Sequence, residues 1–262
     1  MTPFDPAPLA DELALSGFAR RVVVLDATGS TNDDARLLAA DGAPEGTVVI
    51  ARRQTSGRGR RGRVWDSPEG LGLYLSVVLR PTEPAALIGR YAIASAVAAV
   101  EACRRFAGDR VEAKWPNDLF AGGRKLAGIL AEVRSASFGT EMVVGFGVNV
   151  LQGERDFPPE LRGEATSLRL LRGGEGATPG AVARVLVEAL GRQVGALRSG
   201  AWEDVARLFL ACAPGVSGRR ARLASGGEGV TDGIDASGAL RVMTPGGAVL
   251  VHAGESVEIL EG

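Results

Sequence analysis

Apolar and polar positions along this chain switch between a period near two and a period near 3.6, and each switch marks an element. Residues 21–26, Arg-Val-Val-Val-Leu-Asp, predict a short buried strand. Residues 30–42 predict a helix with a hydroxyl cap, acids in its first turn and a closing glycine. A strand follows at 47–52, while 53–66 is polar and keeps neither period, which predicts a loop. Strand character returns at 71–79, and 84–105 predicts a long Ala-rich helix with Pro84 in its first turn. Segments 111–115, 124–133 and 141–150 predict three more strands, with a further short one at 118–121 before the Gly122-Gly123 turn. Helices are expected at 179–197 and 202–212. This order predicts an α+β fold with a mainly antiparallel mixed sheet. After Pro214-Gly215 the texture changes: 219–260 carries apolar pairs separated by Gly, Ser and Asp, the pattern of four or five short strands in a small barrel. The expected division is therefore 1–213 and 214–262.

Composition narrows the function. With 45% hydrophobic and 23% charged residues the chain is globular, and its 37 glycines follow no repeat period. Thirty basic residues against 31 acidic give a net charge of −1, so polyanion binding over the whole surface is excluded and any basic function is local. Residues 1–19 lack the basic start and apolar core of a signal peptide, and the longest apolar run, 91–100, is too short to span a bilayer. A cytoplasmic protein without a membrane partner is the expectation. Cys103 and Cys212, each in an apolar helical context, are expected to be buried free thiols in a reducing compartment.

Three segments carry candidate chemistry. Gly57-Arg-Gly-Arg-Arg-Gly62 satisfies G-x-G-x-x-G, but Pro68, Gly70 and Gly72 follow where a dinucleotide-binding helix would have to start. The loop's distinguishing feature is charge: six arginines and no acid from Arg52 to Arg63, which favours a bound anion met by guanidinium forks and backbone N–H groups. A solvated basic loop, or one touching a nucleic-acid backbone, is the alternative. The second segment is Lys114-Trp-Pro-Asn-Asp-Leu119 with Arg124-Lys-Leu-Ala-Gly-Ile129. It holds both lysines of a chain whose other 28 basic residues (30 − 2) are arginine, which points to a compact ammonium acting on a carboxylate or phosphate. Asp118 is a candidate Mg²⁺ ligand, although the segment is also a plain turn sequence. The third, Val143-Val-Gly-Phe-Gly-Val-Asn-Val150, is a strand whose two glycines suggest close approach of ligand or backbone. Asn149 is either a buried turn-former or a ligand contact.

Taken together, Ser30-Thr31-Asn32, Gln54 with the arginine loop and Trp65, Lys114–Leu119, Arg124–Ile129 and Gly145-Phe-Gly-Val-Asn149 resemble the biotin protein ligases (biotin–[acetyl-CoA carboxylase] ligases) in order and spacing. The resemblance implies a class II synthetase-like catalytic domain and a C-terminal SH3-like barrel. It further implies activation of biotin, the substrate, by ATP and Mg²⁺ to biotinyl-5′-AMP, then transfer to a lysine of the biotin carboxyl carrier protein of a carboxylase. By motif, Ser30, Thr31, Asn32, Gln54, Arg58, Gly59, Arg60, Lys125, Gly128 and Ile129 would bind biotin. Arg60, Arg63, Trp65, Lys114, Asn117, Lys125 and Asn149 would bind ATP, and Asp118 the metal. Lys125 and Arg60 would be catalytic. The 25 residues before Asp26 are too few for the helix-turn-helix some members carry, so no DNA binding is expected. A homodimer through an exposed sheet edge is a possible form, and the lone His252 is expected to be structural or on the surface. Alternatives are a lipoate-type ligase, against which the Arg-Arg-Gly-Arg loop and barrel argue, and a nucleic-acid-binding module, against which the near-neutral charge argues.

Overall fold

The computed structural model describes residues 6–136, 139–171, 176–255 and 257–260. A seven-stranded sheet runs from edge to edge as β1 (Arg21–Thr28), β2 (Thr47–Gln54), β3 (Gly72–Leu79), β7 (Gly139–Asn149), β6 (Arg124–Ala136), β5 (Asp118–Ala121) and β4 (Val111–Lys114). Only β1 and β2 pair in parallel; every other neighbour is antiparallel. The expected α+β class and the short strand 118–121 are both borne out.

Side-chain alternation decides which face does what. Along β3, Leu73, Leu75, Val77 and Leu79 enter the main core, while Tyr74, Ser76 and Val78 point the other way. The core face is covered by α1 (Pro6–Ala14), α3 (Gly89–Ala107), α4 (Pro179–Arg198) and α5 (Trp202–Cys212). Helix α4 starts where its residues demand: Thr178 accepts from the Ala181 N–H at 3.2 Å and Pro179 occupies the first turn. Its Leu186, Val187 and Leu190 are fully buried, each stabilising the fold by roughly 1.5–3 kcal/mol. On the opposite face α2 (Thr31–Ala40) is the one helix among the described residues, and its Ala35 and Ala39 pack on Val49, Val78 and Val143. The rest of that face is left for a site.

Two expectations change. Helix α1 was not foreseen, because acids and prolines around Leu9 and Leu13 obscure the period that buries both. The segment Ala85–Arg110 is also long and apolar enough to cross a membrane by length and composition, contrary to the reading of the apolar run. Its apolarity has another cause: Tyr91, Ala94, Ala98 and Cys103 are buried within the core. Cys103 and Cys212 are buried and free as expected, and burial pushes the Cys103 thiol up to about 12.

A C-terminal β-sheet domain follows the turn Pro214–Val216. Its five antiparallel strands run β11 (Gly247–Val251), β10 (Leu240–Thr244), β9 (Glu228–Ile234), β8 (Ser217–Leu223) and β12 (Val257–Ile259). It is fastened to α3 by Arg90 Nε, which donates to the Ala236 carbonyl at 2.6 Å.

Candidate active site

The free face of the sheet carries one row of directly opposed residues across five strands: Tyr74, Gly147, Gly128, Asp118 and Lys114. The two adjacent glycines remove side chains at its centre. The Trp65 indole lies on this bare floor, since a Cβ on Gly147 would stand 2.5 Å from its ring and one on Gly128 3.1 Å. Close approach, inferred from the strand glycines, is therefore real, and an aromatic side chain makes it. The Trp65 Nε1 is buried without a hydrogen-bond partner.

Next to the floor, the N-terminus of α2 is held by a buried polar network. The Ser76 hydroxyl donates to Asn32 Oδ1 at 2.6 Å and lies 2.8 Å from the Thr31 hydroxyl. Gln54 Oε1 accepts from Thr31 N–H at 2.9 Å, and Gln54 Nε2 donates to Ser67 Oγ at 3.0 Å. Asn32 Nδ2 donates to Glu132 at 2.7 Å. Gly145 makes room for Asn32, because a Cβ there would fall 2.1 Å from Asn32 Oδ1. Ser30 caps α2 only through its backbone carbonyl, which leaves its hydroxyl uncommitted to the helix. Ser30, Thr31, Asn32 and Gln54 are thus brought together as the motif required.

The arginine loop corrects its sequence reading. It is a tight hairpin in which Gly59 N–H donates to Arg63 O at 2.7 Å and Trp65 N–H to Gly57 O at 2.9 Å, with Arg61 and Gly62 left-handed at the tip. Those backbone donors are spent inside the loop, so anion recognition falls to side chains. Nor is the charge uncompensated: the fold supplies acids from elsewhere. Arg52 pairs with Glu69 at 3.1 Å, and Arg58 is bidentate on Asp33, the second contact at 2.8 Å. The Arg58 hydrogen bond holds the Asp33 carboxyl below its ordinary value, against a smaller opposing effect of burial. Among the described residues the guanidinium groups of Arg53, Arg61 and Arg63 have no hydrogen-bond or ion-pair partner. Arg60 donates to Asn117 Oδ1 at 2.9 Å and to the Ala253 carbonyl of the C-terminal domain. Burial, and then the charge of Arg61, disfavour its charged form.

Lys125 and Asp118 meet at 2.8 Å, and the ammonium stands 5.6 Å from the centre of the Trp65 ring. Asn117 Nδ2 donates to Asp118 at 3.2 Å, and the Asn117 carbonyl accepts from Ile129 N–H at 2.7 Å. Lys125, Arg60, Asn117, Asp118, Gly128 and Trp65 therefore converge. Lys114 is opposite Asp118 in register, but its ammonium lies over the Phe120 ring at 4.8 Å instead. Asn149 is buried, donating to Thr166 O at 3.0 Å and accepting from Gln152 at 3.2 Å, which favours the turn-former over the ligand contact. Among the described residues no three His, Cys, Asp or Glu side chains form a metal cage. Asp118 offers a single carboxylate, already engaged by Lys125. That fits a cation held mainly by substrate phosphates rather than by protein. His252 is exposed.

Several participants escaped the sequence reading. Ser76 was legible as the lone polar residue in an apolar strand. Glu132 and Asp33 carried no such mark. Neither did the strap 164–166, whose Glu164 carbonyl and Thr166 N–H hold the backbone of Lys125 at 2.7 and 2.9 Å.

Residues 24–149 match the Biotin/lipoate A/B protein ligase family. The biotin–[acetyl-CoA-carboxylase] ligase of Paracoccus denitrificans is 32% identical over 253 residues, which cover 88% of this chain and 98% of that protein. The bifunctional ligase/repressor BirA of Bacillus subtilis is 38% identical over 169 residues, 64% of this chain and 52% of that protein, so the chain spans only about half the length of this relative. A biotin protein ligase from Aquifex aeolicus, solved in complex with biotin and ATP, superposes with a TM-score of 0.77 at 25% identity, over 92% of this chain and 100% of that one. The chain belongs to the biotin/lipoate A/B protein ligase family, among the relatives of its biotin–[acetyl-CoA-carboxylase] ligases.

Proposed function

We propose that the protein is a biotin protein ligase, with residues 1–213 as catalytic domain and 214–262 as C-terminal domain. In the first half-reaction a biotin carboxylate oxygen attacks the α-phosphorus of ATP. A P–O bond forms to the acyl oxygen, the α–β P–O bond breaks, and pyrophosphate leaves. In the second, the neutral amine of a carrier lysine attacks the acyl carbon, the amide forms, AMP leaves and the amine's proton passes to solvent. The carrier is the biotin carboxyl carrier protein of a biotin-dependent carboxylase, a reading supported by the name of the Paracoccus relative.

One observation carries this reading: the Lys125 ammonium meets Asp118 beside the Trp65 ring that covers the glycine floor, with Arg60 brought to the same turn by Asn117. The first step brings a carboxylate and a phosphate together, so it needs converging cations more than a general base. Lys125 supplies a rotatable ammonium between the two anions, and Asp118 holds it in place. The α2 corner of Ser30, Thr31, Asn32 and Gln54 orients the biotin head group, with Gly59, Gly128 and Ile129 shaping the channel. Arg58 anchors the loop, Arg60 closes it, Arg63 is free for phosphates, and Trp65 presents its ring to adenine. Asp118 would be the carboxylate to hold Mg²⁺, which would neutralise the triphosphate charge. Excluding water protects the mixed anhydride from hydrolysis. Incubation with ATP, a carrier domain and either biotin or lipoate tests the assignment: biotin labelling is expected, and labelling by lipoate alone would overturn it.

A further inference from the structure

We infer that the turn at residues 252–255 of the C-terminal domain is a latch for the arginine loop, holding Arg60 through the Ala253 carbonyl so that the acyl-adenylate stays in the site. The inference rests on the ligase reading for its reaction, though not for its geometry.

Arg60 stands on a hairpin whose tip is exposed and left-handed at two successive residues, a segment with little packing of its own. Its guanidinium is fixed by two neutral acceptors from distant parts of the chain, Asn117 Oδ1 on the turn beside Lys125 and the Ala253 carbonyl 193 residues away. Among the described residues no carboxylate pairs with it, in contrast to Arg58 on Asp33. Neutral acceptors suit a group that must release and regrip as substrate enters and leaves, since each bond is individually weak.

The turn is shaped for this contact. Glu255 folds its carboxylate back to accept from His252 N–H at 2.7 Å, and Glu255 N–H donates to His252 O at 2.9 Å, a closed ring that presents the Ala253 carbonyl outward. Residues 252–255 are all exposed, so core packing does not dictate the shape. The domain's seat on α3 is secured separately, by Arg90 and Ala236. Loss of the latch therefore frees the loop without undocking the domain. Glu255 is a positioning residue, acting through Arg60.

The test uses the full chain with Glu255→Ala, the conservative Glu255→Gln, Arg60→Ala and the double variant Arg60→Ala/Glu255→Ala. Release of preformed biotinyl-AMP is followed together with tryptic nicking of the unliganded protein within 58–63. Glu255→Ala is expected to speed release roughly 5- to 10-fold, the loss of about one neutral hydrogen bond, and to speed nicking in step. Glu255→Gln, which keeps an acceptor for His252 N–H, returns both to the wild-type rate. On the Arg60→Ala background the Glu255 change adds nothing to release. Unchanged release and nicking in Glu255→Ala, or an equal increment with Arg60 absent, would overturn the latch. If the wild type shows no biotin-dependent pyrophosphate exchange, the ligase reading falls, and the nicking rates still decide the latch.

Discussion

The α2 corner and the arginine loop adjoin the same glycine floor and are joined by Arg58 on Asp33, yet they are built oppositely. In the corner, Thr31, Asn32 and Ser76 are buried, and their polar atoms are bonded to one another and to Gln54 and Glu132. In the loop, three of six guanidinium groups lack a partner among the described residues, and the hold on Arg60 is through neutral acceptors. A satisfied buried network gives one geometry and resists change. A sparsely held loop opens at low cost. The contrast teaches that recognition belongs to the rigid half and admission and retention to the movable half, with Lys125 on β6 between them.

Variants can break or sharpen that division. The largest effect is expected at the centre: Lys125→Arg should lower biotin-dependent ATP–pyrophosphate exchange by about 10²–10³-fold, the scale of losing one transition-state donor. Circular dichroism and melting temperature should stay unchanged, because the ion pair with Asp118 is partly exposed. Gly147→Ala comes next. Its Cβ would stand 2.5 Å from the Trp65 ring, so the indole must leave the floor, at a cost of about 1–3 kcal/mol. Tryptophan emission should shift and ATP affinity fall; an unshifted spectrum would contradict the placement of the ring. In the rigid half, Ser76→Ala leaves the buried Asn32 Oδ1 without its donor and should cost about 1–3 kcal/mol of stability, read by denaturant unfolding. A loss confined to adenylate retention would contradict the assignment of the corner to recognition.

The smallest effect belongs to the loop's anchor. Arg58 and Asp33 are partly exposed, so Asp33→Asn should cost below about 1 kcal/mol. The sign of its pH dependence is fixed. The folded state holds the Asp33 carboxyl below its ordinary 3.8, so the pair's contribution is present above that value and is lost as pH falls through the lower, folded one. The stability gap between wild type and Asp33→Asn should be constant from neutral pH to about 5 and vanish in stronger acid. A gap that grows on acidification would contradict the pairing.

Much of this was legible in the sequence because it is local. Alternation located every strand of the main sheet, and the motif residues Ser30 to Asn32, Gln54, Asn117 and Lys125 do assemble. What escaped depends on chain folding that local pattern does not encode. Asn32 meets Glu132, Arg58 meets Asp33 and Arg60 meets Ala253 across separations of 100, 25 and 193 residues. The loop's charge is uncompensated within its own segment and is met by Asp33 and Glu69, which arrive through the fold. Lys114 shows the converse limit: proximity in sequence to Lys125 placed it at the site, whereas cross-strand packing set its ammonium on Phe120.

The central claim is that Lys125, held by Asp118 beside Trp65, joins a biotin carboxylate to the α-phosphate of ATP. Isotope exchange between ATP and pyrophosphate, measured with and without biotin in wild type and Lys125→Arg, tests it most directly. Exchange is expected to require biotin and to collapse in the variant. Exchange that runs without biotin, or that persists at the wild-type rate in Lys125→Arg, would contradict it.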